Sequence, residues 1–127
     1  MQTLLHYFLH LGFPIIVAFV FFRNEWKKVS IIFLATMLVD LDHLLANPIF
    51  QPDRCSINFH ILHSYYAIGV YVLMLFLRKP FKLIGLGLLF HMLTDFIDCL
   101  FMYSKCSTCM IDSPALHLLR SASKILI

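Results

Sequence analysis

Apolar residues occur in four long runs along the chain, separated by three short polar breaks. The runs cover residues 3–22, 29–46, 57–77 and 83–103. A helix needs about 20 predominantly apolar residues to cross a hydrocarbon core of roughly 30 Å, and each run meets or approaches that length. The pattern therefore predicts an all-α, polytopic membrane protein whose four transmembrane helices form a bundle over residues 1–103.

The remaining residues, 104–127, form a cysteine-containing tail. From residue 114 onward its apolar side chains recur near helical spacing, while Arg120, Ser121 and Lys124 fall on other faces. Such a segment can lie flat in the membrane interface as an amphipathic helix. A loosely ordered tail is the alternative that the sequence leaves open.

Composition agrees with a membrane protein and excludes a water-soluble enzyme. Of the 127 residues, 61% are hydrophobic and 13% are charged, whereas soluble domains average about 45 to 50% and about 25%. The net charge of +3 comes from short basic clusters beside apolar runs, which excludes nucleic acid as a partner. Residues 1–22 lack a basic start and a small-residue cleavage site, so we expect a retained helix there.

The basic residues divide unevenly between the two predicted sides of the membrane. The loops at 23–28 and 78–82 carry six Lys or Arg, whereas the 47–56 loop carries only Arg54 and the tail adds three. Because positive loops stay in the cytoplasm, this predicts that the 23–28 and 78–82 loops are cytoplasmic. Both termini and the 47–56 loop would then face the periplasm or the outside.

Ten ionisable side chains lie within the predicted spans, and none of them is Lys or Arg. They are His6, His10, Asp40, Asp42, His43, His60, His63, His91, Asp95 and Asp98. A charged group in a bilayer costs about 2.5 to 3.5 kcal/mol on insertion scales, so these residues indicate a functional site. On helices that rise about 1.5 Å per residue, most of them lie roughly 5 to 12 Å below one membrane boundary.

Residue type and spacing within this group indicate metal binding. On each predicted helix the residues are three or four positions apart and share a face, except Asp42, which points away. Buried carboxylates without basic partners persist when they bind a metal, and mixed imidazole and carboxylate ligands suit Zn, Mn, Fe or Ni. We expect one or two divalent ions, with zinc favoured. The predicted ligands are His6, His10, Asp40, His43, His60, His63, His91 and Asp95.

Cys55, Cys99, Cys106 and Cys109 all fall at or near the predicted outer side, where disulfides can form. Four cysteines allow three connectivities, so the sequence does not give the pairing. Structural roles are favoured, including a bridge between the 47–56 loop and the end of the fourth span. The C-x-x-C at 106–109 is also compatible with a redox pair or half of a zinc site.

Three strings carry a resemblance to a known family: D-x-D-H at 40–43, H-x-x-H-S at 60–64 and H-x-x-x-D at 91–95. With His10, they resemble the bacterial membrane-bound metal-dependent hydrolase family, which is distantly similar to the zinc-dependent phospholipase C and nuclease P1 group. They resemble more closely a small uncharacterised family of four-helix bacterial membrane proteins, over about residues 1–103. The chain lacks the Arg and Thr of the hydrolase family's H-R-G-x-T-H-S string. The resemblance implies a location in the bacterial inner (cytoplasmic) membrane. It also implies metal-ligand roles for His10, Asp40, His43, His63, His91 and Asp95.

These observations lead to a functional hypothesis with two alternatives. The leading one is a metal-dependent hydrolase that cleaves a phosphoester of a lipid or lipid-linked substrate at the outer-leaflet headgroup level, with Asp42 or Asp98 as general base. The first alternative is a non-enzymatic metal-binding protein with a structural, sensing or transport role. The second is a haem protein with axial His ligands. Glycines in the spans would permit close packing within one bundle or across a homo-oligomer.

Overall fold

A computed structural model of the protein describes residues 1–49, 51 and 54–126, and every regular element within them is helical. The predicted all-α class is thus confirmed for this part of the chain. Residues 50, 52 and 53 of the 47–56 loop and residue 127 of the tail lie outside it. The α-helices are α1 (Gln2–Tyr7), α2 (Phe13–Phe21), α3 (Trp26–Ala35), α4 (Tyr65–Met74), α5 (Phe81–Lys105) and α6 (Leu116–Leu126).

The first long helix contains a widened turn. A π-helical segment, Phe8–Gly12, joins α1 to α2, so that Gln2–Phe21 forms one continuous helical run. Pro14 follows this segment and cannot donate a backbone hydrogen bond, which accounts for a local departure from α geometry. His10 lies in the π-helical segment and is buried.

The second long helix changes type at its midpoint. After α3, the chain continues as a 3₁₀-helix, Thr36–Leu45, in which residues three apart share a face. The buried face carries Thr36, Val39 and Asp42. The exposed apolar face, here called the leucine ridge, carries Leu38, Leu41 and Leu44. The third face carries Asp40 and His43.

The third predicted span is interrupted. In place of one helix over residues 57–77, the structure has a turn, a short 3₁₀-helix (Ile61–His63), and then α4. Ser64 ends the irregular part, because its backbone is extended and its hydroxyl oxygen accepts the Ala67 N–H at 3.2 Å as a helix N-cap. With ten residues, α4 is shorter than a membrane-crossing helix.

Helix α5 is the centre of the fold and contacts α1, α3, α4 and α6. Gly87 lets it approach the end of α3 closely, since a Cβ atom there would lie 2.8 Å from Thr36 Cγ2. Within the described residues, two helical runs are long and apolar enough to cross a membrane, Gln2–Phe21 and Phe81–Lys105.

Two apolar clusters pack against α5, one near its start and one along its second half. The first, here called the apolar end, contains Val17, Ala18, Val29, Phe33 and Leu83. The second includes Cys55, Ile57, Cys99, Met110 and Leu119, and it anchors α6 through Leu119. The expected bridge from the 47–56 loop to the end of the fourth span is the buried Cys55–Cys99 disulfide. The second disulfide, Cys106–Cys109, closes the C-x-x-C.

Candidate metal centre

Four side chains from three segments bring one ligand atom each to a common point. We call this set, Asp40, His63, His91 and Asp95, the primary cluster. His63 Nε2 lies 3.0 Å from Asp95 Oδ2, 3.3 Å from His91 Nε2 and 3.6 Å from Asp40 Oδ1. His91 Nε2 lies 3.1 Å from Asp40 Oδ1 and 3.4 Å from Asp95 Oδ2. These atoms therefore face one another, although they come from distant parts of the sequence.

The spacing of these atoms matches a tetrahedral ligand set. Nitrogen and oxygen ligands bind zinc at about 2.0 to 2.1 Å, which separates neighbouring ligand atoms by about 3.3 Å in a tetrahedron. The five separations between the primary-cluster atoms range from 3.0 to 3.6 Å. The cluster can thus hold a tetrahedral divalent ion with little movement of its side chains.

Hydrogen bonds from Nδ1 of His63 and His91 leave Nε2 of each ring as the nitrogen that can bind a metal. His63 Nδ1 donates to Asp42 Oδ2 at 3.1 Å, and the same oxygen accepts the Leu62 N–H at 2.8 Å. His91 Nδ1 donates to the sulfur of Met37 at 3.2 Å. In a neutral imidazole this leaves Nε2 unprotonated, so both rings direct a lone pair into the cluster.

The four ligand atoms of the primary cluster are therefore all hydrogen-bond acceptors, and three of the four residues are buried. His63, His91 and Asp95 are each at most 5% exposed, and Asp95 Oδ2 has no hydrogen-bond partner among the described residues. Two carboxylate oxygens and two imidazole lone pairs repel one another in a medium of low polarity, and either protons on the imidazoles or a bound cation relieves that repulsion. The donor set therefore fits a divalent metal ion.

A second set, called the N-terminal cluster, combines His6, His10 and Asp95. His10 Nε2 lies 3.3 Å from Asp95 Oδ1, and His10 Nδ1 donates to the backbone oxygen of His6 at 3.0 Å. His6 Nδ1 lies 3.4 Å from Asp98 Oδ2, while Gln2 Nε2 donates to Asp98 Oδ1 at 2.8 Å. Asp95 thus belongs to both clusters, with one oxygen directed to each.

A third set combines Asp42, His43 and His60. His43 Nδ1 lies 3.2 Å from Asp42 Oδ1 and also donates to the backbone oxygen of Asp40 at 3.2 Å. Ser56 Oγ is 3.0 Å from His43 Nε2, and the buried ring of His60 stacks on His43 with centroids 3.9 Å apart. Both nitrogens of His43 therefore have partners within the protein.

A cavity of about 550 Å³ gives access to these three sets, which together form the candidate metal centre. Its polar wall includes His6, Asp40, His43, Asp95 and Asp98. The leucine ridge forms part of its apolar wall, and Arg54 and Ser56 also line it. The cavity therefore joins acidic and imidazole groups to an exposed apolar surface.

All ten predicted site residues lie in or beside these three sets, although their roles as ligands or bases stay predictions. Asp98 does not belong to a ligand set but faces His6. Gln2, Met37 and Ser56 also contact site residues and were not predicted. Their contacts join separate segments, so no spacing along the chain marks them.

Comparison with known proteins places the chain in a family. The sequence model of DUF6122, a family of unknown function, matches residues 1–102, a range that contains all ten site residues. No curated protein and no solved structure matches the chain. This confirms the expected relation to an uncharacterised family, whereas the resemblance to the metal-dependent hydrolases gains no support. The chain belongs to the DUF6122 family.

Proposed function

We propose that this protein is a membrane-embedded, metal-dependent hydrolase that cleaves a phosphoester of a lipid or lipid-linked substrate. The observation that carries the proposal is the primary cluster, in which four acceptor atoms at tetrahedral spacing lie beside a cavity of about 550 Å³. Zinc is the favoured ion, because two imidazole nitrogens and two carboxylate oxygens suit its tetrahedral coordination.

In this proposal the chain crosses the bacterial inner membrane four times, with its termini and the metal centre toward the periplasm. Helix α3 and the following 3₁₀-helix have ten residues each, which gives a length of about 35 Å at roughly 1.5 and 2.0 Å per residue. The third pass combines α4 with the irregular segment before it. Irregular backbone is tolerated at membrane depth where it is buried in protein or lines a cavity, and His60 and His63 in that segment are buried.

A bound ion would contribute Lewis-acid chemistry: it polarises a phosphoryl oxygen and lowers the pKa of a water ligand toward about 7. The chain's own residues hold and orient the reacting groups. Asp40 is the primary-cluster ligand most open to the cavity, with a side chain 44% exposed. A substrate phosphate in the cavity would therefore lie beside Asp40 at the edge of the primary cluster.

The cavity walls fit an amphiphilic substrate. The leucine ridge is exposed, so in a bilayer it would face lipid and continue the apolar surface into the cavity. Arg54 supplies a positive charge beside the cavity, and its guanidinium stacks on the Phe59 ring at 4.8 Å. We infer that an acyl chain lies along the ridge while the anionic phosphate is directed toward Arg54 and the metal centre.

Of the two candidate bases, Asp98 fits the role better than Asp42. Asp98 lines the cavity and lies 3.4 Å from His6. Asp42 is buried and does not line that cavity, and its Oδ2 accepts bonds from His63 and the Leu62 backbone. We therefore assign Asp98 as general base and Asp42 as the residue that orients His63.

The test combines metal content with turnover in detergent-purified protein. Phosphatidic acid, a short-chain phospholipid and an isoprenoid diphosphate would be offered in mixed micelles, with product release followed by mass spectrometry. We expect hydrolysis of at least one of them. A chelator should abolish this activity and added zinc should restore it, whereas His63→Ala should be inactive. His117→Ala is the matched control, because His117 is exposed on α6.

A non-enzymatic metal site is the second candidate, and one observation favours it. Four protein ligands complete a tetrahedral shell, which is typical of structural zinc sites rather than catalytic ones. If the purified protein holds zinc, unfolds at lower temperature without it, and hydrolyses none of the three substrates, this structural role replaces the enzymatic proposal.

A further inference from the structure

We propose that the N-terminal cluster binds a second divalent cation, and that Asp95 bridges this ion to the one in the primary cluster. The inference rests on the proposed function, because it assumes an occupied primary cluster. It assigns the two positions different tasks: the primary position is closed by protein ligands, and the second keeps a place for water.

His10 provides the first argument. Only 5% of this residue is exposed, and Nδ1 donates its proton to the backbone oxygen of His6 at 3.0 Å. Neutral imidazole then carries a lone pair on Nε2, which is buried without a hydrogen-bond partner in the described part of the chain. This lone pair faces Asp95 Oδ1 at 3.3 Å. Two acceptors at that separation repel each other, and a cation bound to both removes the repulsion.

Asp95 provides the second argument, because its two oxygens are directed to different histidines. Oδ1 faces His10 at 3.3 Å, whereas Oδ2 faces His63 at 3.0 Å and His91 at 3.4 Å. A carboxylate that uses one oxygen for each ion is suited to paired metals, which lie about 3.5 to 4 Å apart in hydrolytic two-metal sites. The position of Asp95 between the two clusters meets this requirement.

The surroundings of His6 give the third argument. Gln2 donates to Asp98 Oδ1 at 2.8 Å, which leaves Asp98 Oδ2 directed at His6 Nδ1, 3.4 Å away. A carboxylate behind a ligating imidazole fixes the ring and raises its basicity. Asp98 therefore lies beside a His6 ring that would bind an ion through Nε2, and it is close enough to the cluster to act as the general base assigned above.

The number of ligands separates the two positions. His6, His10 and Asp95 supply three protein ligands, which leaves one tetrahedral position open, as in catalytic zinc sites. His6, Asp95 and Asp98 also line the cavity, so the open position is accessible to water and substrate. The Asp42, His43 and His60 set carries no such argument, because His43 has partners for both ring nitrogens.

Metal stoichiometry in the full-length, detergent-purified chain tests the proposal. We expect about two equivalents of zinc or manganese in the unchanged protein and about one in His10→Ala, because only the second position uses His10. His10→Gln keeps a polar side chain and should show the same loss of one ion. It therefore serves as the test if His10→Ala fails to fold. With manganese bound, electron paramagnetic resonance should show a spin-coupled pair in the unchanged protein and an isolated ion in both variants. His117→Ala should retain both ions.

The results that overturn this proposal differ from those that overturn the proposed function. If the unchanged protein binds about one ion, kept in His10→Gln and lost in His91→Ala, the second position does not exist and the primary site stands. Two ions without spin coupling would overturn the bridging role of Asp95. Absence of metal from the unchanged protein, even after incubation with zinc, would overturn both the second position and the proposed function.

Discussion

The apolar end and the metal centre of this protein differ in the regularity of their backbone. At the apolar end, Val17, Val29 and Leu83 lie on the α-helices α2, α3 and α5. At the metal centre, His10 lies on a π-helical segment, and Asp40 and His63 lie on 3₁₀-helices. Among the helices of the described residues, α5 alone keeps α geometry through both regions.

This difference follows from what each region must bring together. Apolar side chains tolerate a range of contact distances, so α-helices that pack ridge into groove satisfy them. The atoms that bind one metal ion must lie about 3.3 Å from one another. Straight α-helices alone do not bring a side chain from every segment to the same depth in the bundle. Local π and 3₁₀ turns, with poorer hydrogen-bond geometry, shift individual side chains into place. We infer that packing stabilises the apolar end and a bound cation stabilises the metal centre.

The largest effect is expected for Asp95→Asn, which removes a negative charge shared by the primary and N-terminal clusters. Loss of a residue that only orients a ligand lowers metal affinity by at most about 100-fold. Asp95 is itself a proposed ligand, so its replacement should lower metal affinity by more than that. Competition with a chromophoric chelator measures this change. Retention of metal at the affinity of the unchanged protein would show that the centre does not use Asp95.

Phe33→Ala should break the apolar end without changing the metal centre. Phe33 is fully buried, and truncation of such a side chain costs roughly 3 to 5 kcal/mol. We expect a lower unfolding temperature for the zinc-free and zinc-loaded protein alike, with unchanged zinc content in the folded fraction. Zinc loss in the folded variant would show that the two regions are not independent.

The two disulfides extend the comparison to the tail. Cys55 and Cys99 are 44 residues apart, whereas Cys106 and Cys109 are three apart. Chain entropy gives stabilisations of about 4 and about 1.6 kcal/mol for loops of these lengths. Replacing Cys55 and Cys99 by Ser should thus lower the free energy of unfolding more than replacing Cys106 and Cys109. Chemical denaturation of both double variants under one detergent condition measures the difference, and the reverse order would refute it.

The smallest effect is expected for Asp42→Asn, which tests how His63 is oriented. An amide in place of the carboxylate weakens the bond from His63 Nδ1, so metal affinity should fall roughly 10- to 100-fold. Excess zinc should then restore turnover, since Asp42 orients a ligand and does not transfer a proton in this account. A variant that stays inactive at saturating zinc would instead make Asp42 the general base. Asp98→Asn is the paired variant, and it should stay inactive at saturating zinc because Asp98 is the proposed general base.

The helical class and the grouping of the ten candidate site residues follow from hydropathy and short-range spacing. A bridge between the 47–56 loop and the end of the fourth span was favoured, but the sequence left the pairing of the four cysteines open. The pairing of His91 with Asp95 follows from α-helical spacing, and α5 keeps that geometry. The contact of Asp42 with His63 was not predicted, because it requires a 3₁₀-helix at 36–45 and an interruption before Ser64. Neither departure changes the apolar pattern, so hydropathy alone does not reveal them.

Zinc K-edge X-ray absorption on the purified, zinc-loaded protein tests the central claim most directly, since it reports the atoms that surround the ion. We predict nitrogen and oxygen neighbours at about 2.0 to 2.1 Å, with the multiple scattering of imidazole rings. In a His63→Ala, His91→Ala double variant the signal should weaken, because only the imidazoles of the N-terminal cluster remain to bind an ion. Sulfur neighbours at about 2.3 Å, or a spectrum unchanged in the double variant, would contradict it and place the ion at the cysteines or elsewhere on the chain.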